Sequence, residues 1–142
     1  MKKIPIPPLF VTLFALSVLS LTAENALRFG AALATWKTLR EYASRPSAFF
    51  IAFSGLAWAS IGIVLFKGLW FGESWARKAS LVAVFAYVLY DWGNRLFFQA
   101  SPPHHTQAFT LGVYLFWIFF AILALSLPRS KKFFAERETH DR

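Results

Sequence analysis

The sequence of 142 residues contains no cysteine, and charged residues make up only 15% of it. Without cysteine the chain forms no disulfide, no thiolate nucleophile and no cysteine-ligated metal or iron–sulfur centre. It also has no glycine-rich phosphate loop, no HExxH sequence and no recognisable Ser/His/Asp set, the motifs of nucleotide and hydrolase chemistry. His104 and His105 fall in a turn, and the long apolar runs contain no histidine. We therefore expect no enzyme activity, no metal site and no cofactor.

Apolar residues, by contrast, are abundant and gathered into long runs. They account for 57% of the chain, and aromatic residues for 19%. A helix of ~20 apolar residues is long enough to cross the ~30 Å hydrocarbon layer of a bilayer. The runs predict an all-α protein, an integral membrane four-helix bundle in a single domain, residues 1–142. The predicted spans are residues 8–24, 47–66, 79–98 and 108–127.

The first apolar run follows Lys2 and Lys3, as the hydrophobic part of a secretory signal peptide does. The residues around Glu24 lack a small-x-small cleavage site, so we interpret the run as an uncleaved first span. After it, residues 25–43 gather apolar side chains on one side of a helix, with Arg40 as the exception. Such an amphipathic segment either lies on the membrane surface or extends the first helix, and both alternatives are open.

The net charge of +8 comes from lysines and arginines that lie beside the apolar runs. In that position they act as orientation signals and as contacts for anionic lipid, so we do not expect nucleic acid as a partner. With both termini inside, ten lysines and arginines lie on the cytoplasmic side and five lie outside. This bias predicts a multi-pass protein with both termini in the cytoplasm, including a tail of residues 129–142.

Small residues recur at helical spacing in the second span. Gly55, Ala59 and Gly62 are four and three residues apart, and they form a smooth strip where another helix can approach closely. We predict that this small-residue strip is a helix-packing surface. It also motivates the hypothesis that the protein assembles with itself.

The third span carries unexpected charges in the stretch LYDWGNRLFF, residues 89–98. On a helix, Tyr87, Asn94 and Arg95 lie within about 60° of Asp91. Such a polar stripe should turn toward protein or water, because ionisable groups that face lipid are costly. Asp91 and Arg95 are also four residues apart with the acid first, which is the favourable order for an ion pair within a helix.

A second acid–arginine pair, Glu24 and Arg28, has the same spacing at the end of the first span. The predicted topology brings both pairs to a similar depth in the outer half of the bundle, which predicts one neutral polar cluster. Its members are Glu24, Arg28, Tyr87, Asp91, Asn94 and Arg95. Three alternatives are open. The cluster holds two helices in register, it forms a small site that binds a ligand headgroup or relays a proton, or its side chains simply snorkel to the membrane interface.

The start of the tail is basic and aromatic. Arg129, Lys131 and Lys132 precede Phe133 and Phe134, a composition typical of segments that lie on anionic lipid. We predict that the three basic side chains contact lipid headgroups at the cytoplasmic face. A docking site for a partner subunit is the alternative.

The connection GLWFGESWARK, residues 68–78, resembles the G-L-W-x-G-x-x-W-A-R turn between the middle helices of small uncharacterised four-helix bacterial membrane proteins. The resemblance covers about a dozen residues and implies a bacterial inner membrane location without an assigned activity. In size, in its four spans and in a glutamate of the first helix, the chain is also similar to the small multidrug resistance transporters. Glu24 departs from their pattern because it stands at the helix end beside Arg28, and the third span lacks their glycine-rich packing face.

Together these features predict a non-enzymatic integral membrane protein, either an accessory or structural subunit or a homo-oligomer. Its expected partners are membrane lipids and other membrane subunits or further copies of itself. The alternative is a small transporter or ligand-binding membrane protein that uses the intramembrane acid–arginine cluster.

Overall fold

The computed structural model describes residues 7–41, 46–98 and 104–138, with side chains at all of these except 104–105 and 136–138. The described chain is helical throughout and contains no strand, which confirms the all-α prediction. Its six helices are α1 (Leu9–Ala34), α2 (Trp36–Glu41), α3 (Ala48–Phe71), α4 (Ser74–Phe98), α5 (His104–Ser126) and α6 (Pro128–Glu138).

Among the described residues, three helices are long and apolar enough to cross a membrane: α1, α3 and the part of α5 from Thr106 to Ser126. Helix α4 has a similar length, but Asp91, Asn94 and Arg95 near its end make it less apolar than the other three. The predicted third span therefore forms a helix of sufficient length without the composition of a typical span. We expected His104 and His105 in a turn, but they are the first two residues of α5. The structure describes their backbone and not their side chains.

Helix α1 continues well beyond the predicted end of the first span at residue 24 and ends at Ala34. Thr35 interrupts it only slightly, because the amide of Leu39 still donates to the carbonyl of Thr35 at 2.9 Å and α2 follows directly. Two alternatives were open for residues 25–43. In the structure these residues extend the first helix as far as Ala34. The predicted segment's last two residues, 42 and 43, lie outside the described residues.

The turn between α3 and α4 is shorter than the predicted connection of residues 67–78. The amide of Glu73 donates to the carbonyl of Gly68 at 2.8 Å, and the amide of Gly72 donates to that of Leu69 at 3.3 Å. These two bonds form a Schellman motif, which needs a residue in the left-handed region at its end. Gly72 supplies it with φ = 72°. A side chain on Gly72 would also meet the ring of Phe133 at 2.9 Å.

Helix α6 occupies most of the predicted tail and begins at Pro128, where we expected the last span to stop. Proline suits the first position of a helix because its missing N–H would have no partner there. Helix α6 is amphipathic, with Arg129, Lys131 and Lys132 exposed and Ser130, Phe133 and Phe134 buried.

Residue contacts divide the chain into two compact units. The first consists of the residues up to Phe14 with those from Gly68 onward, and the second is Ala15–Lys67. In the first unit α4 packs against α5, and α6 packs against both. In the second unit α1 and α3 meet through small residues, as described below.

The distribution of apolar side chains differs from that of a water-soluble protein. Alanine is the most frequent residue among the buried apolar positions, whereas large apolar side chains stand exposed along α1, α3, α4 and α5. Leu89 of α4 is 73% exposed and Phe109 of α5 is also 73% exposed. Soluble monomers rarely expose continuous apolar surface on this scale.

Candidate functional site

The carboxylate of Asp91 on α4 is the centre of the polar contacts in the first unit. Arg95, one turn later on the same helix, donates from Nε to Asp91 Oδ2 at 2.8 Å. Tyr114 on α5 donates its hydroxyl to the same oxygen atom. The negative charge is thus balanced by a guanidinium on its own helix and bound by a hydroxyl from the neighbouring helix.

The spacing of residues explains the first of these contacts, and aromatic packing supports the second. Residues four apart lie above one another on a helix, so Arg95 reaches Asp91 without distorting α4. The ring of Tyr114 meets that of Trp92 edge to face, with centroids 6.4 Å apart and planes at 75°. Tyr87 and Trp117 make a similar contact at 6.1 Å and 76°. Aromatic contacts between α4 and α5 therefore accompany the polar one.

The site is only partly shielded. The side chain of Arg95 is 31% exposed, and that of Asp91 is 22% exposed. Both hydrogen bonds to Asp91 use Oδ2, and within the part of the chain that the structure describes Oδ1 accepts none. Asp91 therefore keeps one carboxylate oxygen that is able to accept a further hydrogen bond.

The other residues on the Asp91 side of α4 are also turned toward protein. Ser80 and Val84, which lie on the side of Asp91, are buried, whereas Phe85 and Leu89 on the opposite side are exposed. Asn94 is half-buried, and its Nδ2 atom is buried without a hydrogen-bond partner in the described chain. Helix α4 therefore directs polar groups toward protein and large apolar groups outward.

The predicted cluster also includes the pair Glu24 and Arg28 on α1. Glu24 is exposed and Arg28 is half-buried. Within the described residues, Glu24 and Arg28 form no ion pair with each other, unlike Asp91 and Arg95 on α4. They belong to the second unit, whereas Asp91 and Arg95 belong to the first, so the union of the two pairs in one cluster stays a prediction.

A small cavity lies beside Arg95 at the end of α4. Its volume is about 60 Å³, enough for one or two water molecules. Its lining combines aromatic, apolar and polar side chains from α4 and α5: Trp92, Arg95, Leu96, Thr106, Gln107 and Thr110. The polar groups beside Arg95 come from the start of α5, and the cavity is too small for a large substrate.

Tyr114 is the site residue that the sequence analysis missed. It is the only tyrosine of α5, in a helix without any charged residue. A tyrosine in the apolar part of a helix is a signal that could have marked it, because tyrosine hydroxyls removed from water usually find a partner. Its partner could not be identified without knowing that α5 lies against the polar stripe of α4.

The small-residue strip of α3 contacts α1 in the second unit. A side chain on Gly55 would lie 2.9 Å from the carbonyl oxygen of Asn25 and 3.0 Å from the amide nitrogen of Phe29. A side chain on Gly62 would overlap the hydroxyl of Thr22. Ala59 between them is buried. The strip thus packs against a helix of the same chain.

The polar residues of α1 at this contact bond within their own helix. Thr22 donates its hydroxyl to the carbonyl of Val18 at 2.7 Å, and Asn25 donates from Nδ2 to the carbonyl of Leu21 at 2.8 Å. Both residues are buried. Because their donors bond locally, their side chains allow α3 to approach closely.

Two further findings concern what the site could bind and which known proteins the chain resembles. Within the described residues, no group of three or more His, Asp or Glu side chains is arranged to hold a metal ion. Comparison of the chain with protein-family models, curated proteins and solved structures gives no match. The interpretation of the site therefore depends on its own geometry.

Proposed function

We propose that the protein is a multi-pass integral membrane protein of the bacterial inner membrane, with α1, α3, α4 and α5 as a four-helix bundle. Both termini lie in the cytoplasm. The observation that carries the proposal is the extent of exposed apolar surface: many large apolar side chains of α1, α3, α4 and α5 are exposed, whereas alanine is the most frequent buried apolar residue. In a bilayer those apolar faces meet lipid tails, so exposing them costs little.

The Asp91 site supports the inclusion of α4 among the spans. A single charged residue at the centre of a membrane helix costs ~2.5–3.5 kcal/mol on translocon-based scales. Asp91 and Arg95 form an ion pair, and Tyr114 adds a hydrogen bond. Pairing and orientation toward α5 lower that cost, so the two charges are compatible with a membrane location for α4.

The same site supports a structural function rather than a catalytic one. A charge pair whose members are satisfied can hold helices in register, and Asp91 is bound by both an arginine and a tyrosine. We therefore propose a non-enzymatic protein that acts as an accessory or structural subunit or as a homo-oligomer. Because the small-residue strip packs against α1, contacts with partners would use the exposed apolar faces of α1, α3, α4 and α5 instead.

Membrane insertion and topology can be tested together. The chain has no cysteine, so single-cysteine variants need no prior removal of native thiols. We expect Ser74→Cys, at the turn between α3 and α4, to react with a membrane-impermeant maleimide only after the cells are opened. Thr106→Cys, at the start of α5, should react in intact cells. Recovery of the parent protein in the alkali-washed soluble fraction would contradict the proposal.

The structural function requires a partner or a second copy. Crosslinking in native membranes, followed by native mass spectrometry in mild detergent, should give a complex of fixed composition. A monomer without any crosslinked product would count against the structural role and leave the membrane location intact.

A ligand-binding or transport function is the second candidate. It is favoured by the unoccupied acceptor atom Asp91 Oδ1 and by the cavity of about 60 Å³ beside Arg95. In this case Asp91→Asn and Glu24→Gln should each change the pH dependence of binding or transport of a polar solute. If both variants behave like the parent protein, this candidate is excluded.

A further inference from the structure

A cavity in the first unit lies at the junction of α5 and α6, away from the Asp91 site. Its volume is about 500 Å³, within the range of roughly 300–1,000 Å³ found for small-molecule sites. Pro8, Leu9, Phe10 and Leu127 give it apolar walls. It is therefore large enough and apolar enough for part of a hydrocarbon chain.

Where α6 begins, the lining of this cavity is polar and positively charged. Arg129 lines it and is exposed, and Ser130 lines it as well. Ser130 is 0% exposed, and its hydroxyl has no hydrogen-bond partner within the described chain. A buried hydroxyl without a partner is costly and needs an explanation. A ligand oxygen in the cavity would give the Ser130 hydroxyl an acceptor.

The backbone where α6 begins also favours an anion. Arg129 and Ser130 are the second and third residues of α6, which begins at Pro128. The first N–H groups of a helix have no partner within it, and the helix dipole is positive there. Phosphate groups bind at such N-termini. The guanidinium of Arg129 and the hydroxyl of Ser130 add side-chain donors to this backbone site.

We propose that the cavity binds one anionic phospholipid, with the phosphate at the N-terminus of α6 and an acyl chain along the start of α1. This proposal rests on the proposed membrane location, and it goes beyond a general contact of basic residues with lipid. The lining suits an amphipathic anion, because it combines an apolar wall with an arginine and the unpaired hydroxyl of Ser130. A free phosphate ion would satisfy the donors but leave the apolar wall unused.

The basic side of α6 provides a matched control. Arg129 lines the cavity, whereas Lys132 is also exposed on α6 but is not part of the lining. Arg129→Gln and Lys132→Gln remove the same charge from the same helix. A specific site predicts that the first variant alone loses the lipid, whereas diffuse attraction predicts equal losses.

Native mass spectrometry of the purified protein, titrated with phosphatidylglycerol in mild detergent, tests the site. We expect saturation at one lipid per chain, at least tenfold weaker binding for Arg129→Gln and less than twofold change for Lys132→Gln. Leu127→Trp, which fills the apolar wall, should also weaken binding, and phosphatidylcholine should bind at least tenfold more weakly. Far-UV circular dichroism of each variant serves to exclude misfolding.

Three results would overturn the lipid site. Equal losses in Arg129→Gln and Lys132→Gln would reduce it to general surface attraction. Displacement of the lipid by millimolar inorganic phosphate, or Arg129-dependent binding of that ion alone, would make it a site for free phosphate. Absence of any saturable lipid would leave the cavity without this ligand. The alkali extraction described above is scored separately, so a protein that stays in membranes without binding lipid refutes only this inference.

Discussion

The contact of α1 with α3 and the contact of α4 with α5 join helices by opposite means. In the first, Gly55 and Gly62 allow α3 to approach the backbone or side chains of α1 directly. In the second, Asp91 receives hydrogen bonds from Arg95 and Tyr114, surrounded by aromatic rings. The first contact requires residues without a side chain, whereas the second requires particular polar side chains.

This difference determines how each contact should respond to mutation. A close contact tolerates almost no added volume, because the backbone itself would have to move. In a polar contact between side chains, each substitution removes the stabilisation of one hydrogen bond or one charge. Substitutions in the two contacts should therefore differ in the size of their effect. The first three of the following predictions test this in one detergent, and the fourth concerns the outer side of α4; they are given in order of decreasing effect.

Gly55→Leu should have the largest effect, because even the first added carbon would lie 2.9 Å from the carbonyl oxygen of Asn25. We expect a loss of about 3 kcal/mol or more in the free energy of unfolding. Thermal or denaturant unfolding in mild detergent, followed by tryptophan fluorescence, measures it. Gly30→Leu on α1 is the matched control, since a side chain there meets nothing within 4 Å. Similar losses in both variants would show that the close approach is not the cause.

Asp91→Asn should have the next largest effect, because it leaves the guanidinium of Arg95 without its counter-ion. We expect a loss of about 2 kcal/mol, below the 3–5 kcal/mol typical of fully buried pairs, since both side chains are partly exposed. The double variant Asp91→Asn with Arg95→Gln should recover part of the loss in the same unfolding measurement. If the double variant is less stable than the single one, the cost of leaving the charge of Arg95 without its counter-ion is not the source of the effect.

Tyr114→Phe removes one hydrogen bond to the carboxylate and keeps the ring contact with Trp92. Hydrogen bonds to charged groups contribute about 1.5 kcal/mol or somewhat more, so we expect a loss near the lower end of that range. A double-mutant cycle with Asp91→Asn measures the coupling directly. Additive losses in the cycle would indicate that the hydroxyl and the carboxylate do not interact.

Leu89→Ala should have the smallest effect, although it removes a large apolar side chain. Leu89 is exposed on the outer side of α4, and in a membrane that side meets lipid. We expect a change below about 0.5 kcal/mol, whereas Val84→Ala on the buried side should cost about 1 kcal/mol or more. Reconstitution in lipid nanodiscs and thermal unfolding provide the comparison. A larger loss at Leu89 than at Val84 would reverse the proposed inner and outer sides of α4.

Much of the architecture could be predicted from local features of the sequence. Apolar runs predicted helices near the observed positions of α1, α3, α4 and α5, and the spacing of Asp91 and Arg95 predicted their ion pair. These features depend on helical geometry, which places residues four apart next to each other. Spacing alone does not guarantee the contact, because Glu24 and Arg28 have the same spacing and form no ion pair within the described residues.

Features that depend on neighbouring helices could not be predicted in the same way. Nothing in the sequence near Tyr114 identifies Asp91 as its partner, since the two residues are brought together by the packing of α5 on α4. The partner of the small-residue strip is a similar case, because a strip of Gly55, Ala59 and Gly62 suits a second copy as well as α1. The extension of α1 to Ala34 and the helix in the tail were obscured by charged residues, which suit a helix and a surface segment equally.

The contact between Gly72 and Phe133 has a consequence for biosynthesis. The turn that joins α3 to α4 packs against a ring that is encoded more than 60 positions downstream, on α6. As the polypeptide leaves the ribosome, this turn stays uncovered until α6 has been synthesised. Premature termination or C-terminal cleavage before α6 would therefore remove a contact from the middle of the protein and not merely shorten its end.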